Sequence, residues 1–217
     1  MDQILEKVKI ECQGCGSDIY VGIKEFVDVT DNPEDKQALL DGTFFVTTCR
    51  NCGDRVLVEY PIMYTDRDLK LTIYMLPGGE PEVLDHLNSL PVPEKDIDPE
   101  AVFRFVTASS DLIEKILIFD NRRDDRLIEL YKLVLAGKVR EDWPDVIGDD
   151  LLYYSENGSE FFILWDDDLE PGSEKLTIML DEELYQRLDR DFSEALELEP
   201  NKYAMVDQTW IEERVQV

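Results

Sequence analysis

The sequence predicts an α+β protein, with a strand-rich antiparallel unit at the N-terminus and a mixed domain of helices and antiparallel strands after it. Three observations lead there. Segments of strand period fill the first third of the chain. Helical patterns enter later, without a regular strand–helix–strand alternation. A five-residue unit, Cys-x-x-Cys-Gly, occurs twice, as CQGCG at 12–16 and CRNCG at 49–53, each time between two predicted strands.

Residues 7–11 and 18–29 alternate apolar and polar, with Ile19, Val21 and Ile23 on one face, which is strand period. NPEDKQALLDG then reads as a short helix: Asn32 can cap it, Pro33 suits its first position, Glu34 and Asp35 favour its positive end, and Gly42 stops it. TFFVTT and RVLVEY flank the second cysteine pair as strands, and LKLTIYML at 69–76 is another. PGGEPE at 77–82 is the first strong break and sets an expected domain boundary near residue 78.

Beyond it, PEVLDHLNSL reads as a helix, PVPEKDIDPE as a loop held extended by its prolines, and AVFRFVTA as a strand. SSDLIEKILIFD carries an apolar stripe of Leu112, Ile113, Ile116 and Leu117. DDRLIELYKLVLAG is apolar around much of its circumference, so it is expected to be a buried helix ended by Gly137. After the connector EDWPDVIGDD, LLYYS and EFFILW flank Asn157-Gly158, a strong two-residue hairpin signal. KLTIML adds a strand, DEELYQRLDRDFSEALEL the longest predicted helix, and YAMVDQTWIEERV a closing strand or short helix.

The 217 residues are 43% hydrophobic, enough to form a sizeable core, yet carry 50 acids against 22 bases for a net charge of −28. Residues 1–137 contribute −12 and residues 138–217 contribute −16, so the acidity is densest toward the end. That field repels phosphate backbones and anionic membranes, so neither nucleic acid nor membrane is an expected partner; a basic protein is. No apolar run approaches the roughly 20 residues that span a bilayer. MDQILEKVKIEC also lacks the basic flank and apolar core of a signal peptide. The expected location is a reducing cytoplasm, where paired cysteines bind metal or do redox chemistry more often than they form structural disulfides.

The chain has four cysteines, all in the doubled unit. A Cys-x-x-Cys turn places two sulfurs on one edge of a tetrahedron, and the following glycine lets backbone N–H groups turn toward the sulfur charge. Cys12 and Cys15 form one such knuckle, and Cys49 and Cys52 the other. The 33 residues between them exceed the usual spacing of about 15–20, and the helix predicted at 33–41 accounts for the excess. The expected ligand is one Zn2+ held by Cys12, Cys15, Cys49 and Cys52, structural because all four corners come from protein. An iron–sulfur cluster would accept the same four thiolates. A dithiol redox pair needs only one Cys-x-x-Cys, beside a helix N-terminus, whereas both pairs here lie between strands. The organisation that follows is a zinc-ribbon-like β domain over 1–78 and an acidic α+β domain over 79–217.

The two knuckles, the acidic helix with LLDGTFF, and then EYPIMY, LKLTIYMLP, RFV, LIEKILIFD and DDRLIELYKL resemble, in that order, the CpXC protein family of bacteria and archaea. The resemblance runs over roughly residues 8–136 and implies a zinc-bound ribbon; it implies no activity. The proline that names the family's Cys-Pro-x-Cys units is Gln13 in the first knuckle and Arg50 in the second.

Other candidates read as structural. His86, the one histidine, has no nucleophile at a recognisable spacing. Asp166, Asp167 and Asp168 form the densest carboxylate run but lack the spacing of a calcium loop. IFDNRRDDR places Asp120, Arg122, Arg123, Asp124, Asp125 and Arg126 between two helices, where capping and local ion pairs account for them and a partner-binding corner is the alternative. Trp143, Trp165 and Trp210 are expected to pack at the core or its edge. The leading expectation is therefore a non-enzymatic interaction module with a structural zinc site. The rival is a carboxylate-dependent enzyme or enzyme subunit acting on a cationic substrate, and a third reading is a nucleic-acid mimic.

Overall fold

The computed structural model describes residues 6–91, 93, 97–142, 150–165 and 176–215. The fold is α+β and divides into two compact units, residues 1–113 with 200–204, and residues 114–199 with 205–217.

The first unit opens with an antiparallel hairpin, β1 (Glu6–Glu11) and β2 (Asp18–Ile23), in which Val8 pairs with Val21 and Ile10 with Ile19. The single strand expected over 18–29 is broken at Lys24 and Glu25. Lys24 fixes the break: its ammonium pairs with Asp35 and its backbone N–H donates to the Tyr60 hydroxyl. β3 (Phe26–Asp28) then joins another sheet, parallel to β6 (Ile62–Asp66). α1 (Pro33–Leu40) has Pro33, Glu34 and Asp35 in its first turn, and Gly42 follows it at φ +64°. Asn32 does not cap it through its side chain; that amide donates to the Asp28 carbonyl instead. A second hairpin, β4 (Val46–Thr48) and β5 (Arg55–Leu57), is shorter than its sequence pattern. Phe44, Phe45 and Tyr60, which belong to that pattern, form an aromatic cluster beyond the strand ends, with the Phe45 ring 5.0 Å from Phe44 and 5.3 Å from Tyr60.

A five-stranded sheet carries the rest of this unit, in the order β12-β8-β7-β6-β3, with β7 at Leu71–Met75, β8 at Val102–Val106 and β12 at Tyr203–Ala204. β6 is a strand that the sequence reading leaves out. Its inward row is Ile62, Tyr64 and Asp66, and the acid disguises the alternation. Asp66 is accommodated because Lys36 donates to it at 3.1 Å and it accepts the backbone N–H groups of Asp68 and Leu69. β7 pairs antiparallel with β6 but parallel with β8, and α2 (Pro81–Ser89) lies in the connection that parallel pairing requires. Residue 78 falls in that connection, inside the first unit. α3 (Ser109–Asp120) follows, with the Ser109 N–H donated to Glu59, and the division between the units falls within this helix.

In the second unit, α4 (Asp125–Asp142) runs through Gly137 and is the longest helix among the described residues, at 18 residues. The helix expected over 181–198 is shorter: α5 (Glu182–Phe192) starts where the Asp181 side chain accepts the N–H groups of Glu183 and Leu184, and it ends at Phe192. Between them lies an antiparallel sheet ordered β11-β10-β9, with β9 at Asp150–Glu156, β10 at Ser159–Trp165 and β11 at Thr177–Met179. Asn157 and Gly158 turn the hairpin with φ of 51° and 79°, as a type I′ turn requires. α6 (Gln208–Val215) is the last element among the described residues. The core gathers Leu127, Ile128, Leu130, Tyr131 and Leu135 of α4 against Tyr153, Phe162, Leu184, Leu188 and Ile211.

This core also encloses charge. Glu114, Lys115, Asp125, Glu129 and Lys132 are all buried. The Lys115 ammonium donates to Glu129 at 3.0 Å and to the Val206 carbonyl at 2.7 Å, and pairs with Asp125 at 3.2 Å, which uses all three of its donors. Lys132 reaches Glu114 at 2.6 Å and Glu129 at 3.1 Å. Glu114 also accepts the Tyr153 N–H, and Glu129 the Gln208 amide. Removing one partner of a buried pair costs about 3–5 kcal/mol, because the other charge stays buried without compensation. Lys115→Met should therefore lower the unfolding free energy by about that amount, a loss that chemical denaturation of the purified variant would measure.

Candidate metal centre

The two cysteine knuckles stand at the tips of two hairpins, Cys12–Gly16 between β1 and β2, and Cys49–Gly53 between β4 and β5. Their backbones repeat one pattern. The Gly16 N–H donates to the Cys12 carbonyl at 2.7 Å and the Gly53 N–H to the Cys49 carbonyl at 2.9 Å. The Cys12 N–H donates to Ser17 and the Cys49 N–H to Asp54, each closing its loop across the base. Gly16 and Gly53 both sit at positive φ, +69° and +83°, where a side chain would be strained.

Folding brings the four sulfurs within 4.8 Å of one another. Two contacts join the knuckles, Cys12 to Cys52 at 3.6 Å and Cys15 to Cys49 at 3.7 Å. Cys12 and Cys49 are buried, whereas Cys15 and Cys52 are exposed. Ile10, Ile19, Val21 and Val56 pack around the buried pair. Hydrogen bonds divide the thiols electrostatically. The Asn51 amide and the Ser17 hydroxyl donate to Cys15 and hold it down at about 6. The backbone N–H groups of Cys52 and Asn51 lower Cys49. At Cys52 the Asp54 N–H pulls downward, but burial and the neighbouring thiols and Asp54 carboxyl prevail and push it up. Four thiolates this close cannot all ionise without a cation among them, so the arrangement is that of a site for one thiophilic metal ion.

The CpXC protein family matches residues 10–132, more than half of the chain. The chain belongs to the CpXC family. No curated protein and no solved structure matches it. The matched span holds both knuckles, the five-stranded sheet apart from β12, and the helices α1 to α3 with the first turns of α4. Gln13 and Arg50, at the positions of the family's prolines, are both exposed.

The remaining sequence candidates do not converge on this centre. His86 is exposed in the last turn of α2. Asp166, Asp167, Asp168 and Trp143 lie outside the described residues, as does the side chain of Trp165. Trp210 packs at the edge of the second unit's core, with the Arg214 guanidinium 3.9 Å from its ring centre. In the Arg122–Arg126 corner, Arg123 binds Glu160 and Glu182, Arg126 binds Asp124 and the Leu196 carbonyl, and Asp125 pairs with Lys115. Ser17, Asn51 and Asp54 around the sulfurs are the residues that the sequence reading misses, although their places beside the knuckles are a readable signal. No helix among the described residues is long and apolar enough to cross a membrane.

The two hairpins have few apolar side chains of their own to hold them together, so the metal should be their main cross-link. Structural zinc supplies about 10–16 kcal/mol in finger peptides. Cys49→Ser should accordingly raise amide hydrogen exchange by orders of magnitude over residues 6–23 and 46–57, while the protection of α4 and β10 stays close to wild type.

Proposed function

We propose that this CpXC protein is a zinc-stabilised docking module: one Zn2+ held by Cys12, Cys15, Cys49 and Cys52 fixes the two hairpins, and the acidic remainder receives a basic protein. The observation that carries the metal assignment is the convergence of four sulfurs within 4.8 Å. Two Cys-x-x-Cys turns, one at the tip of each hairpin, suit the tetrahedral preference and sulfur distance, about 2.3 Å, of Zn2+. With all four corners taken by thiolates, no position is left for a water or substrate, so the metal's work is structural.

The docking half of the proposal rests on charge and on one face of the β11-β10-β9 sheet. Tyr154, Phe161 and Met179 are cross-strand neighbours in register there, on the face opposite Tyr153, Phe162 and Ile178, with Leu152 and Ile163 as the next pair along. Tyr154 is 39% and Met179 59% exposed. The charge among the described side chains of that face is the carboxylate of Glu156. A chain of net charge −28 repels a second copy of itself and attracts a cationic segment that carries apolar side chains of its own.

The rival reading, a carboxylate enzyme for a cationic substrate, needs two acids whose affinities for protons are pushed apart. Glu114 and Glu129 are such a pair: burial pushes Glu114 up, while Lys115 and Lys132 overcome burial and hold Glu129 low. Their cations are already supplied. Lys115 and Lys132 stand where a cationic substrate would have to stand.

Metal analysis of protein purified without added zinc should find close to one zinc per chain, and no metal with four freely reactive thiols would overturn the assignment. A peptide of alternating lysine and leucine should bind, more weakly as salt rises past the point where the screening length is about 8 Å. The charge-neutral pair Tyr154→Ser with Met179→Ser should weaken that binding roughly tenfold. Equal binding by the double variant would remove this face from the proposal, and tight binding of duplex DNA at the same salt would remove the charge argument.

A further inference from the structure

The two knuckles match in backbone but not in the side chains around their second cysteines. Position by position, Gly14 of the first corresponds to Asn51 of the second, and Ser17 corresponds to Asp54. Both side chains meet Cys15, the Ser17 hydroxyl at 2.7 Å and the Asn51 amide at 3.4 Å, and the hydroxyl also lies 3.6 Å from the buried Cys49 sulfur. Cys52, its counterpart, has an acceptor where Cys15 has the serine, and no side chain where Cys15 has the asparagine. The Asp54 carboxylate fills the space that a side chain at Gly14 would take. A Cβ there would lie 1.8 Å from the Asp54 Oδ2 and 3.7 Å from the Cys52 Sγ.

These contacts give the centre a strong edge and a weak one. Hydrogen bonds to a thiolate spread its charge and hold it in place, and partners of this kind set metal affinity as much as the ligands do. A carboxylate beside a thiolate has the opposite effect, because like charges at short range repel. Cys12 and Cys49 are buried, so solvent and reagents reach the centre through Cys15 and Cys52. We infer that Cys52 is the exchange ligand of the metal centre: it is the sulfur that leaves the metal first and the one that electrophiles modify first, while Ser17 and Asn51 are positioning residues that keep Cys15 bound. The inference rests on the metal reading above and adds to it a direction of opening. With a maleimide, the Cys52 thiolate sulfur would add to one carbon of the ring double bond, whose π electrons pass to the neighbouring carbon, and water would supply the proton there.

The test uses the full chain as purified, with its zinc content measured first. Timed N-ethylmaleimide treatment followed by peptide mapping should label Cys52 ahead of Cys15 by roughly tenfold in rate. Asp54→Asn keeps the backbone contact to Cys49 and removes the charge; it should slow both the labelling of Cys52 and the transfer of zinc to a colorimetric chelator several-fold. Ser17→Ala combined with Asn51→Ala should bring Cys15 to the rate of Cys52, and restoring a hydroxyl as Ser17→Thr should recover part of the difference. A merely structural role for these residues would change how much zinc is retained without changing which cysteine reacts first. Protein that holds no metal would overturn the metal reading and this inference together. Bound zinc with Cys15 labelled first, or with equal rates, would overturn the inference alone.

Discussion

The constraint on which the N-terminal part of this protein depends is the convergence of four sulfurs that repel one another once ionised. Two short hairpins, one of them with strands of three residues, present only Ile10, Ile19, Val21 and Val56 as apolar support around Cys12 and Cys49. Isolated two-stranded hairpins are marginal in water. The sulfur cluster resolves both difficulties at once if a divalent cation occupies it, since the ion cancels the repulsion and joins the hairpins. The repeated glycines serve the same end. The positive φ after each second cysteine lets the next N–H, of Ser17 in one knuckle and Asp54 in the other, meet that cysteine's sulfur, so that the backbone shares the work of holding negative charge.

The second unit solves a charge problem without a metal. Three carboxylates and two ammonium groups lie inside a core built largely from α4. Burial of that kind adds little net stability over a well-packed apolar alternative, but a charge left without its partner is expensive. The arrangement therefore acts on specificity. Lys115 can meet Glu129, Asp125 and the Val206 carbonyl together only when α3, α4 and the chain entering α6 are in register. An apolar α4 could slide or rotate between similar packings, whereas moving this one would part Lys132 from Glu114 and Glu129 from Lys115. The same satisfaction separates the network from a catalytic carboxylate pair, whose members must hold capacity open for a substrate.

Much of this was legible in the sequence, for identifiable reasons. The doubled Cys-x-x-Cys-Gly at strand tips locates the centre because sulfur chemistry and glycine's backbone freedom are local properties. Asn157-Gly158 locates the β9–β10 hairpin for the same reason. What sequence pattern hides is non-local. The buried acid of β6 reads as a break in alternation, and only its partners, Lys36 and two backbone N–H groups, make it an inward position. Gly137 reads as a stop, yet α4 continues through it, since a glycine lowers helix stability by only about 1 kcal/mol and packing overrides that. The predicted break at residue 78 is real as a turn, with Gly78 at φ +62°. It separates two strands of one sheet, because parallel pairing of β7 with β8 brings the chain back after α2.

The acidity and the metal centre bear on each other through a sign argument. A Zn2+ with four thiolates carries a formal charge of about −2, in a chain that is already at −28. Such a centre needs local donors more than one embedded in a basic protein would, and its environment supplies them unevenly. Cys15 gathers two side-chain donors, and Cys52 faces a carboxylate. The general field of the protein thus favours the cation as a whole, drawing it in and slowing its escape, while weakening each thiolate bond slightly. Where no side-chain donor offsets that second effect, the bond is weakest. Uneven donation then decides which ligand yields, and it does so on the exposed side of the cluster, where an incoming chelator or electrophile arrives.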